Sequence, residues 1–131
     1  MSDYTIKNLR QVEDSAPRFG LSEIGEARFP GTELDAETIG LALQSVKPGQ
    51  RWPFAHRHDQ AEEVYVILSG RGRMKLDDEL LEVGPMDAIR VAPGVLRAFE
   101  ASDPGLEVLV FGPRHEGDGE LVQNPSWGDE G

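Results

Sequence analysis

From Thr38 onward, apolar and polar positions alternate in short runs, and each run is stopped by a turn signal. Residues 39–46 read as a strand ended by Pro48-Gly49. Glu63-Val64-Tyr65-Val66-Ile67-Leu68 is rich in β-branched and aromatic side chains and stops at Ser69-Gly70. Residues 72–76 alternate again, Asp77-Asp78-Glu79 makes a polar hairpin tip, and residues 80–83 run into Gly84-Pro85. Residues 87–92 lead into Pro93-Gly94, and 96–101 and 106–111 complete the series. About seven short strands at a spacing of about 8–12 residues predict an all-β sandwich or barrel. No window sustains apolar residues at i, i+3, i+4 and i+7, so long helices are not expected. The barrel proper is assigned to residues 38–112. Residues 1–37 are polar, with Pro17, Pro30 and several glycines, and are expected to add one or two edge strands and a loop, for example over residues 4–9. The segment 113–131 contains Glu116-Gly117-Asp118-Gly119-Glu120 and Asn124-Pro125-Ser126-Trp127, and reads as a mobile or packed-over arm.

Composition narrows the class further. A chain of 131 residues fits one domain, given about 100–200 residues per domain. Thirteen basic residues against 24 acidic ones give a net charge of −11, which disfavours nucleic acid and an anionic membrane surface as partners. An anionic ligand would therefore need a local positive group. The absence of cysteine excludes disulfides, thiolate metal sites and a cysteine nucleophile, and it fits a cytosolic protein. The first residues show no basic start followed by an apolar run, and no apolar stretch approaches membrane-spanning length. The expectation is a soluble, cytoplasmic protein.

The chemistry concentrates between Gly49 and Gly70. Residues two apart in a strand point to the same face, about 6.6 Å apart, so His56 and His58 present two imidazoles to one side. Glu63 opens the next strand and shares a face with Tyr65 and Ile67. If the chain reverses through residues 59–62, a carboxylate meets both imidazoles. Two histidines and one carboxylate bind Zn²⁺, Mn²⁺, Ni²⁺ or Fe²⁺, and open positions on such a metal suit oxygen chemistry. The plainer alternative is a polar stripe on a strand. No Ser-His-Asp arrangement is available, and Gly70-Arg71-Gly72 lacks the strand-to-helix context of a phosphate loop.

Gly49, His56-Arg57-His58, Glu63 and Gly70 resemble the first motif of the cupin superfamily, with one extra residue between Gly49 and His56. The six residues between Glu63 and Gly70 favour Glu63 over Glu62 as the motif acid. The second motif is matched by Asp87, Pro93 and Gly94, but Met86 replaces its glycine and Arg97 stands where its histidine belongs. The resemblance, covering roughly residues 38–111, implies a single-domain double-stranded β-helix, or jelly-roll barrel, that dimerises with itself. In metal-binding cupins the second-motif histidine joins ligands matching His56, His58 and Glu63. Arginine cannot replace it, having no free lone pair and a fixed positive charge.

Three arrangements follow. A divalent metal sits on His56, His58 and Glu63 with water completing its shell, while Arg97 leans toward a substrate. Or no metal binds, Arg97 pairs with Glu63, and a polar pocket receives an organic anion. Or His115, otherwise a solvated tail residue, supplies the missing ligand. Trp52, Phe54, Tyr65, Met74 and Phe99 are expected to line a substrate pocket with Arg97, although core packing or a dimer contact would also explain them. Arg90 faces solvent or makes a second anion contact. The functions these patterns support are three. The first is a metal-dependent enzyme of oxygenase or isomerase type, acting on a small organic molecule that Arg97 orients. The second is a metal-free ligand-binding or sensor protein anchored by Arg97, and the third is a non-catalytic structural module.

Overall fold

The structure, a computed structural model, describes residues 3–128. Its eight strands are β1 (Gly25–Arg28), β2 (Ile39–Val46), β3 (Phe54–His58), β4 (Glu63–Leu76), β5 (Glu79–Val83), β6 (Ala88–Val91), β7 (Arg97–Pro113) and β8 (Gly119–Gln123). Pairing runs β1-β2-β7-β3-β8, and β4 joins β5, β6 and β7, which curls the sheet into a jelly-roll barrel. All the pairings between these strands are antiparallel. Helix is limited to short 3-10 turns and one turn, α1 (Gly31–Leu34).

Two pairs of expected strands turn out to be continuous. Residues 63–68 and 72–76 form one strand, β4, and residues 97–113 form another, β7, which pairs with β4 along both halves. The register between them shifts twice, between Ile67 and Ser69 and again between Gly70 and Gly72. At these shifts the strands bend round the barrel corner. Gly70 takes φ 82°, and a Cβ on Gly70 or Gly72 would collide with the carbonyl oxygens of Gly105 or Glu100. The corner therefore needs glycine, and the turn signal read at Ser69-Gly70 marks a bend within a strand.

The two flanking segments also join the sheet. The expected edge strand over residues 4–9 is absent: Tyr4 and Ile6 are 77% and 89% exposed, and Asn8 caps a 3-10 turn at Leu9–Gln11 by accepting from the Arg10 amide. The N-terminal edge strand is β1, paired with β2. The segment expected to be an arm contributes β8, which pairs with all of β3. Just beyond it, Trp127 is 2% exposed and packs with Ala55 and Ala98 under the Arg51 guanidinium. The main core holds Ile67, Met74, Phe99, Val108 and Val110, with the Tyr65 and Phe99 rings 5.5 Å apart.

Met86, at the glycine position of the second motif, has φ 71°, a left-handed conformation that disfavours any side chain with a Cβ. The adjacent Asp87 holds the turn by accepting from the Gly84 amide at 2.8 Å.

Two stability measurements test this account. Trp127→Ala should cost about 3–5 kcal/mol in urea denaturation, as for other large buried aromatics; a loss below about 1 kcal/mol would make the tail an ornament. Met86→Gly should gain about 0.5 kcal/mol, the relieved left-handed strain being partly offset by the entropy of glycine.

Candidate functional site

Strand geometry places the key side chains on the inner wall. Phe54, His56 and His58 project together from β3, and the register sets them beside Gln123, Leu121 and Gly119 of β8. His56 is also in register with Arg97 on β7. Glu63 and Tyr65 come from β4, and Phe99 follows Arg97 by two residues on β7.

These groups converge on one carboxylate oxygen. Glu63 Oε1 accepts from the Tyr65 hydroxyl at 2.6 Å and lies 3.2 Å from His58 Nε2 and 3.6 Å from His56 Nε2. Arg97 Nη1 donates to the same oxygen at 3.3 Å, while Nη2 donates to the Ala92 carbonyl at 2.7 Å. Arg97 is 1% exposed, and both terminal nitrogens are engaged. Burial alone would push the Glu63 carboxyl up. Hydrogen bonds from His56 and Tyr65 and the charges of His58 and His56 outweigh it and hold the group at about 2. Burial, with the Glu63 charge, pushes the Tyr65 phenol up, so it stays a neutral donor.

His56, His58 and Glu63 form the metal-capable group among the described residues, their ligand atoms within 4.8 Å of one another. Two ligands each about 2.1 Å from one metal ion lie about 3.0–3.4 Å apart at octahedral or tetrahedral angles, close to the spacings from Glu63 to the two imidazoles. His58 Nε2 is buried with no hydrogen-bond partner and lies 3.2 Å from Glu63 Oε1, the spacing of two ligands on one ion. The residues fit a divalent metal. His115 is exposed in the segment after β7 and stands outside the group.

Asp118 is the residue that sequence reasoning missed. Its carboxylate accepts from the amides of Asp59, Gln60 and Ala61 at 2.8–3.0 Å, which pins the turn joining His58 to Glu63. It also faces His58 Nδ1 at 3.4 Å, and its side chain is 4% exposed. Burial would raise this carboxyl, but the three amide bonds and the His58 charge lower it. Nothing local to Gly117-Asp118-Gly119 signals the role, because it depends on β8 folding back along β3.

A cavity of about 730 Å³ opens over the group. Trp52, Phe54, Tyr65, Phe99 and Arg97 line it. Met74 does not: it is fully buried in the core beside Ile67 and Phe99. Arg90 is exposed and pairs with Glu62 at 2.9 Å, which turns both away from the cavity. Phe19, Leu21 and Phe29 from the N-terminal segment, and Leu121 and Gln123 from β8, supply walls the sequence did not reveal.

Residues 42–111 match the Cupin domain family. The chain belongs to the cupin family. A curated relative, an uncharacterized protein of Methanocaldococcus jannaschii, is 50% identical over 38 residues, a stretch covering 29% of this chain and 30% of that protein. This cupin is also similar to a cupin protein from Bacteroides fragilis, with a TM-score of 0.71 at 22% identity over 99% of this chain and 97% of that one. It resembles the polyketide cyclase RemF from Streptomyces resistomycificus, with a TM-score of 0.73 at 20% identity over 95% and 88% of the two chains. At these identities the likeness concerns the fold.

The Glu63 contacts yield a pH signature in metal-free protein. The folded value of about 2 lies below the ordinary 4.5, so Glu63 stabilises the fold fully above about pH 4.5 and loses that contribution as pH falls toward 2. Tyr65→Phe removes one of the bonds that lower it. Its stability deficit should be full near neutral pH and narrow as the pH falls below about 4.5 toward 2, in urea titrations between about pH 6 and pH 2. A deficit independent of pH would show that Tyr65 acts through packing alone.

Proposed function

We propose that this cupin is a metal-dependent enzyme of isomerase or oxygenase type that acts on a small organic molecule held in the barrel cavity. One observation carries the reading: among the described residues, the group of three imidazole and carboxylate ligands close enough to share one ion lies in the lining of a cavity of ligand size. His56, His58 and Glu63 would hold the metal. When bound, it supplies Lewis-acid polarisation of a substrate oxygen. Asp118 orients His58 by facing its far nitrogen, the usual device for aiming an imidazole at a metal. Arg97 acts as a positioning residue: it braces Glu63 and ties it to the Ala92 carbonyl. Tyr65 holds its proton against Glu63, and the walls beyond the cluster are mostly apolar. That a structural neighbour of this fold is a polyketide cyclase supports an enzymatic role.

The contact between Arg97 and Glu63 favours a second reading, in which the guanidinium neutralises the carboxylate and the cavity binds a ligand without metal. Elemental analysis of protein purified without a histidine tag separates the two. The enzyme reading predicts stoichiometric divalent metal, lost in His58→Ala, and an affinity about 10–100-fold lower in Asp118→Asn by chelator competition. Arg97→His should raise the affinity by adding a nitrogen ligand. Protein that carries no metal and gains none from Mn²⁺, Fe²⁺, Ni²⁺ or Zn²⁺ would sink this reading.

A further inference from the structure

We infer that the cavity takes a flat, apolar, ring-bearing molecule with a single ionisable oxygen, such as a phenol, enol or aryl carboxylate, directed at His56 and His58. The inference rests on the reading of this cavity as the reaction site and names its class of substrate.

The distribution of polar groups carries the argument. Among the described residues, the ionisable side chains lining the cavity are His56, His58, Glu63, Tyr65 and Arg97, and all of them belong to one cluster. The other polar side chains in the lining, Ser15, Gln44 and Gln123, carry no charge. The remaining walls are mostly apolar, with aromatic rings from Phe19, Phe29, Trp52, Phe54 and Phe99. Trp52 and Phe54 stack at 6.2 Å with planes 30° apart, which presents a broad flat surface.

Competing ligand classes fit poorly. A sugar or other polyol would bring several hydroxyls against walls with few partners for them, Ser15, Gln44, Gln123 and the Trp52 indole N–H, at a cost of roughly 1–3 kcal/mol for each one left unpaired. A phosphate or a dicarboxylate needs free cationic donors. Among the described residues Arg97 is the one Arg or Lys in the lining; its terminal nitrogens are held by Glu63 and Ala92, which leaves its buried Nε as the one unpartnered cationic nitrogen there. One anionic oxygen is what the cluster can receive, and rings are what the walls can bury.

The side chains of the barrel leave this space open. An eight-stranded barrel is often filled by its own side chains. Here Ala42 on β2 and Ala27 on β1 stand at lining positions where larger residues would close the space. Phe29 lines the same space and is 52% exposed, an apolar ring left to solvent at the opening. A ligand that covered it would remove that exposure.

Calorimetric titration of the full chain with 2-naphthoate, oxalate and glucose 6-phosphate tests the inference. Naphthoate should bind about a hundredfold more tightly than either polar probe. Phe29→Asp, at a half-exposed position that leaves the core intact, should weaken naphthoate about tenfold, and Ala42→Phe should weaken it further by filling the space. The inference is overturned if oxalate or glucose 6-phosphate binds as well as naphthoate, or if neither variant changes naphthoate binding. Metal content measured on the same samples keeps the two ideas apart. Metal-free protein that still binds naphthoate retains this inference and removes the metal. Metal-loaded protein indifferent to naphthoate does the reverse.

Discussion

A carboxylate placed inside a barrel must be given partners, and the whole inner wall is arranged around the partners of Glu63. The Tyr65 hydroxyl, the Arg97 guanidinium and the two imidazoles all approach the same oxygen, and they come from three different strands. Only a closed sheet with its register fixed brings β3, β4 and β7 to one point. A one-residue slip in any of the three would send its functional side chain to the opposite face. The glycine corner at Gly70 and Gly72 maintains that register, because it lets β4 and β7 bend together and stay paired.

The strand runs of the barrel were legible because alternation and turn residues are local properties. Residues 39–46 were bounded correctly; the two-residue side-chain period put His56 and His58 on one face, and the resemblance to the cupin motif singled out Glu63 beside them. What could not be read was long-range. Gly70 looks like a stop in sequence, yet it lies within one strand because β7 bends alongside it. Met74 alternates with other inward residues, but sequence does not say how deep in the barrel a position lies, and it belongs to the core. Asp118 sits among glycines and acids in what reads as solvated chain, and its use emerges only from pairing with a strand from the other half of the molecule. Arg97 pairs in register with His56, and the structure shows where its terminal nitrogens point.

Fold stability and ligand space are in tension here. The core below the site is filled by Ile67, Met74 and Phe99, whereas the region above it is left open and walled with rings, some half exposed. Filling that space would bury more apolar area and add stability. Leaving it open sacrifices that gain, as functional cavities commonly do.

The strand that closes the inner wall has a further consequence, in the order of assembly. The imidazoles of β3 are translated in the first half of the chain, whereas Leu121, Gln123 and the carboxylate that braces His58 arrive after every other strand. On the ribosome the pocket therefore lacks these wall residues and the carboxylate beside His58 until β8 has been made. Contacts so distant in sequence form slowly. Completion of this inner wall thus waits on β8, so a chain stopped before it lacks the residues that face β3 and the carboxylate beside His58.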